Sequence, residues 1–144
     1  MRNELPYIDT HTVTVAAASE EAFDAVARTI PRAGSSGPLS LYARLIGCEH
    51  GKPFSVAASR RPTELVLAGR HRFSRYELVF QFAPRGAATT VVSATTHAAF
   101  PGLGGRLYRA AVIGSGGHRI AMRAMLADLR RRAERDSRSG AAAR

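Results

Sequence analysis

Between Cys48 and Phe100 the chain changes side-chain character at nearly every second residue, and this period of two most limits what it can fold into. PFSVAAS, TELVLAGR, SRYELVFQFAP and TTVVSATTHAAF all read as strands. Arg60-Arg61-Pro62 and RGAA punctuate them as turns, so the strands are expected to be consecutive and antiparallel, a meander. Pro101-Gly102 stops the sheet, and Leu103 to about Arg135 reads as one long helix.

Upstream, HTVTVAA (His11–Ala17) alternates as a half-buried strand. SEEAFDAVARTI then carries an amphipathic helix. Ser19 is its expected N-cap, with acids in the first turn, apolar residues at Ala22, Phe23, Val26 and Ile30, and Pro31 closing it. PLSLYARLIG predicts a second short helix, ended by Gly47. The expected class is therefore α+β: a curved antiparallel sheet wrapped around a long C-terminal helix, with two short helices after the first strand. A chain of 144 residues, 45% hydrophobic, suits one domain, expected over residues 1–135, with 136–144 as a disordered basic tail. Tyr76, Leu78, Phe80 and Phe82 share one strand face, as do Leu65 and Leu67. Val92, Ala94, Thr96 and Ala98 alternate opposite them and are small, which predicts an internal, mostly apolar cavity.

HTVTVAAASEEAFDAV, ELVLAGRHRFSRYELVFQFAPRGAATTVVSAT and FPGLGGRLYR together resemble the START-like helix-grip superfamily (SRPBCC), which includes polyketide cyclase/dehydrase-like proteins. The resemblance runs to about residue 135. It implies a deep hydrophobic cavity between sheet and terminal helix, with Tyr42, on the short second helix, closing one end. It implies no shared catalytic residue, because members range from lipid carriers to cyclases.

IGSGGH (Ile113–His118) interrupts the long helix with small residues. A phosphate loop needs a preceding strand and usually a lysine, and a nucleophile elbow needs glycine where Ile113 stands; neither pattern is met. At about 100° per residue, Leu107, Ala111, Gly114, His118, Ala121, Met125 and Leu129 fall on one apolar stripe, with Arg109, Arg119, Arg123 and Arg130 opposite. Gly114 and His118 are thus expected to face the sheet. Helical glycine costs roughly 1 kcal/mol relative to alanine, offset here by close packing, a kink or room for a ligand. His118 is either a ligand contact, a general acid or base, or a core histidine bonded to a carbonyl. His71 is placed at the cavity rim or in solvent, His97 outward, and Tyr108 at the stripe edge. Tyr76, Leu78, Phe80, Val92, Ala94 and Met125 are the expected apolar wall. Leu107, Ala111 and Gly114 extend it, while His118, Tyr42 and His71 orient a polar end.

Net charge is +10, nearly all from arginine, with Lys52 the only lysine. Arg130, Arg131, Arg132, Arg135, Arg138 and Arg144 crowd the end, and RHRFSRY alternates arginine with aromatic, so no nucleic-acid partner is expected. No stretch of about 18 apolar residues exists, so no membrane span is expected. The polar MRNELPYIDTHTV lacks a secretory pattern, and Cys48 alone precludes an internal disulfide, which suits a cytoplasmic location. Cys48 and His50 are two potential ligands where zinc wants three or four, so neither metal nor cofactor is expected. Acids are scarce in the predicted interior, and no carboxylate pair points to glycosidase- or protease-like chemistry. Monomer and homodimer both remain open. The expected function is binding of a small hydrophobic or amphipathic ligand, such as a lipid, polyketide or isoprenoid-like compound. The alternatives are a cyclase, dehydratase or isomerase using His118 as acid or base, and a basic module binding nucleic acid or protein.

Overall fold

The computed structural model describes residues 5–29, 54–71 and 74–144, the side chain of His71 excepted. In chain order these form β1 (Tyr7–Val15), α1 (Ser19–Thr29), β2 (Ser55–Arg60), β3 (Glu64–His71), β4 (Ser74–Pro84) and β5 (Thr90–Ala99). Then come α2 (Gly102–Arg109), a π-helical turn (Ala110–Gly114) and α3 (Gly117–Ala142). The sheet order is β1-β5-β4-β3-β2, with every neighbouring pair antiparallel. The meander read from the period of two is present, and β1 joins it beside β5. The second short helix expected over PLSLYARLIG lies outside the described residues, as does the Cys48–His50 pair.

Register carries the core. Leu65 pairs with Phe80 and Phe80 with Ala94; Leu67 pairs with Leu78 and Leu78 with Thr96. A slip of one residue would turn this whole set to the other face. In register, Leu65, Leu67, Leu78, Phe80 and Ala94 are buried with Phe23 and Val26 of α1 and with Met122, Met125, Leu126 and Leu129 of α3 in one cluster. The rings of Phe23 and Phe82 meet at 5.3 Å, tilted by 57°. The buried residues of α3 follow the spacing of a single helical stripe, and that stripe lies on β1 and α1.

The start of α1 differs from the sequence expectation. Its first intrahelical bond runs from the Ala22 N–H to the Ala18 carbonyl at 3.0 Å, which makes Ala18 the N-cap. Glu21 supplies the side-chain half of the cap, its Oε2 accepting from the Ala18 N–H at 3.1 Å. The Ser19 hydroxyl instead lies 3.3 Å from Thr90 Oγ1, and the fully buried Thr90 donates to the Ala17 carbonyl at 2.8 Å. Strand β5 is thereby fastened to the β1–α1 turn.

The C-terminal segment differs in two ways. It is not one helix from Leu103: the π-helical turn and Ser115 intervene, and Gly116 sits in the left-handed region at φ 78°, ψ 0°. A left-handed residue cannot belong to a right-handed helix, so α2 and α3 are separate elements. At the other end, α3 continues through Ala142, over most of the segment expected as a disordered tail. Alanine and arginine favour helix, and Asp136 accepts from Arg28 of α1 at 2.9 Å. Among the described residues no helix is long and apolar enough to cross a membrane.

Helix α2 rests on the end of the sheet through Gly105 and Tyr108. The Tyr108 ring lies 5.9 Å from that of Phe100, and a Cβ at Gly105 would stand 2.6 Å from the Phe100 carbonyl carbon. Gly105→Ala is therefore expected to destabilise the fold by about 1 kcal/mol or more despite alanine's better helix propensity. Gly114→Ala, whose Cβ meets nothing within 4 Å, is expected to gain up to about 1 kcal/mol. Urea midpoints of the two variants check these opposite signs.

Candidate functional site

Strand β1 begins four residues before the His11 start read from the sequence, and this earlier start adds a carboxylate to the inner face. Asp9, His11, Val13 and Val15 alternate toward α3, while Thr10, Thr12 and Thr14 are exposed. Their cross-strand partners are Thr96, Ala94, Val92 and Thr90 of β5. His118 enters from the first turn of α3, directly after the break at Gly116.

These positions bring two imidazoles to one carboxylate. His118 Nε2 lies 3.2 Å from Asp9 Oδ1, and His11 Nε2 lies 3.0 Å from Asp9 Oδ2. The three side chains are only 13–17% exposed. Burial works against a charged Asp9, but the hydrogen bond from His11 and the charge and hydrogen bond of His118 outweigh it. The carboxyl is held below the ordinary aspartate value of 3.8. An ionised carboxylate only accepts hydrogen bonds, so each ring donates through Nε2, and a neutral ring keeps its lone pair on Nδ1. An imidazole oriented in this way can accept a proton at Nδ1 and share the resulting charge with Asp9.

In the same row of the sheet, Thr96 is buried between Asp9 and Leu78, and its Oγ1 has no hydrogen-bond partner among the described residues. A buried hydroxyl left unpaired costs about 1–3 kcal/mol, which sets Thr96 apart from the buried Thr90, whose hydroxyl is paired. Tyr76, half-buried on this face, meets the Phe54 ring edge-on at 5.3 Å.

Of the other residues expected to form a site, Leu78, Phe80, Val92, Ala94 and Met125 are buried in the core cluster. Leu107, Ala111 and Gly114 are exposed and stand apart from it. Their place on a common stripe with His118 required one straight helix, and the left-handed Gly116 destroys that phase. His97 lies on the opposite face, its Nδ1 donating to the Leu5 carbonyl at 3.2 Å. Tyr42 and the His71 side chain lie outside the described residues. A groove of about 330 Å³ is lined by Leu5, Ser55, Arg70, Arg75 and Glu77 among others. The alternation of β3 and β4 puts its Arg70, Arg75 and Glu77 on the face opposite Leu67 and Leu78; Tyr76 also borders it, but none of Asp9, His11, Thr96 and His118 lines it.

Asp9, His11 and Thr96 were not singled out from the sequence. Extending the alternation of HTVTVAA two residues backward places Asp9 and His11 with Val13, which is the signal that finds them. Thr96 stood in the alternating pattern as a small filler, and its missing partner is visible only in three dimensions.

No protein-family model and no curated protein matches this chain. Among solved structures, a conserved protein from Geobacillus kaustophilus is similar over 90% of this chain and 94% of its own, with a TM-score of 0.52 and 15% identity. A protein from Thermus thermophilus is similar over 92% of this chain and 99% of its own, at TM-score 0.49 and 15% identity. A Polyketide_cyc-like protein from Corynebacterium glutamicum covers 96% of this chain and 92% of its own, at TM-score 0.43 and 13% identity. The likeness is one of fold, an antiparallel sheet packed against a long C-terminal helix.

Because the folded-state pKa of Asp9 is lowered, its contribution to stability is present above the ordinary carboxylate range and lost as pH falls through the folded value. The stability difference between the wild type and Asp9→Asn is expected to be largest near neutral pH and to shrink below about pH 4. Urea titrations of both proteins across that interval check it.

Proposed function

We propose that this chain binds a small hydrophobic or amphipathic molecule, of the lipid, polyketide or isoprenoid-like kind, against the inner face of the sheet beside α3. The observation that carries this reading is the buried, unpartnered Thr96 hydroxyl, one strand away from the Asp9–His118 pair. A hydroxyl or carbonyl on an otherwise apolar ligand would satisfy Thr96 and the imidazole together, while Leu78 and the Tyr76 ring supply apolar contact. Burial would drive such binding and the polar groups would set the pose.

A second reading has its own support. The Asp9–His118 hydrogen bond gives the imidazole the orientation a general acid or base needs, as in a cyclase, dehydratase or isomerase that moves a proton beside a carbonyl. Nδ1 of His118 would take that proton, and Asp9 would stabilise the imidazolium.

Thr96→Val separates a binding hydroxyl from an incidental one. Removing an unpaired buried hydroxyl is expected to stabilise the free protein by about 1 kcal/mol. Affinity for a ligand found by thermal shift, among fatty acids, prenyl alcohols and fused-ring phenols, should fall about tenfold. Unchanged affinity would remove Thr96 from the site, and the absence of any shifting compound, together with no co-purifying mass in native mass spectrometry, would sink the binding reading. His118→Gln distinguishes the second reading: turnover should be lost while binding falls less than about tenfold. Equal loss of both would leave His118 a binding contact.

A further inference from the structure

From Leu78 to Ala127 the chain contains no aspartate or glutamate, yet it carries Arg85, Arg106, Arg109, Arg119 and Arg123. Within this acid-free stretch α2 presents leucines to solvent. Leu103 is 79% exposed and Leu107 is 74% exposed, and at i, i+4 they stand side by side on one face of the helix. The helix geometry gives the reason. Gly105 is buried and Tyr108 is half-buried on Phe100, which fixes the inward direction. At about 100° per residue, Leu103 and Leu107 then point within roughly 50° of directly outward, and Arg106 flanks them. Ile120, 71% exposed between the exposed Arg119 and Arg123, continues the combination on α3. Among the described residues no carboxylate pairs with Arg106, Arg109, Arg119 or Arg123.

We infer that α2 and the first turns of α3 form a docking surface for an anionic lipid bilayer. Leu103 and Leu107 enter the interfacial region while the arginines meet headgroup phosphates. Two properties select this occupant. The protruding apolar residues are convex, and a fluid bilayer accommodates a convex helix that lies in its interface. The arginines lack acids beside them, and their positive field matches an anionic leaflet. A second copy of the chain fits poorly, since a shared face would bring these arginines against their equivalents with no acid to offset the repulsion. Nucleic acid would satisfy the arginines but not the leucines. This inference does not rest on the ligand reading above.

The test is co-sedimentation of the full chain with phosphatidylcholine vesicles, with and without phosphatidylglycerol. Pelleting is expected with phosphatidylglycerol and should weaken as salt is raised. Leu103→Ser/Leu107→Ser should cut vesicle affinity roughly tenfold with the thermal transition unchanged, because both side chains point away from the core. Arg106→Ser/Arg109→Ser should cut it roughly tenfold or more, whereas the charge-matched Arg135→Ser/Arg138→Ser should stay within about threefold of wild type. No pelleting on phosphatidylglycerol vesicles at low salt would overturn the inference. So would pelleting indifferent to the leucine pair, which would reduce it to diffuse attraction by net charge. Concentration-dependent self-association that the leucine variant abolishes would overturn it too, and assign the face to a second copy.

Discussion

The left-handed backbone at Gly116 decouples two helices that would otherwise share one phase, and most of the C-terminal half depends on it. Downstream, α3 is free to rotate until Met122, Met125, Leu126 and Leu129 meet the sheet and α1. That rotation brings His118 onto Asp9. Upstream, α2 is seated by Gly105 against Phe100, and its leucines turn outward. On one continuous helix at roughly 100° per residue the inward side set by Gly105 and Tyr108 and the stripe of Met122, Met125, Leu126 and Leu129 would stand about 80° apart, and the break lets each half seat separately. Glycine is suited to this position because positive φ carries no Cβ penalty there.

The polar cluster follows from a second constraint, the alternation of β1. A strand that places Val13 and Val15 in the core must place Asp9 and His11 on the same face. A lone carboxylate there would be penalised by desolvation. Two imidazoles donating to its two oxygens outweigh that penalty and hold it ionised. Thr96 has no such compensation. Satisfied and unsatisfied polar groups thus sit side by side on one inner face.

Much of the fold was legible in the sequence. The strands from Ser55 to Ala99 are signalled by a period of two, which needs no knowledge of partners. The inward set of Leu65, Leu67, Leu78, Phe80, Val92 and Ala94 follows from the same parity. Helix α1 was legible from its apolar spacing, although its cap was misplaced by one residue, since Thr90 captures the Ser19 hydroxyl. The site was legible only in part. His118 stood out as a polar residue on an apolar stripe, but nothing in its neighbourhood along the chain points to Asp9, more than a hundred residues away.

The sequence by itself thus determined the local periods: which segments are strands or helices, and which side chains share a face. These depend on backbone geometry that repeats every two or 3.6 residues. Only the tertiary structure decided the phase between elements. It set the β1–β5 register that puts Asp9 beside Thr96, and the break at Gly116 that leaves His118 on Asp9 while Leu107 turns outward. Such relations are fixed by packing between distant segments, where one residue of slip or one left-handed glycine reverses which face is buried, and no local pattern carries that information.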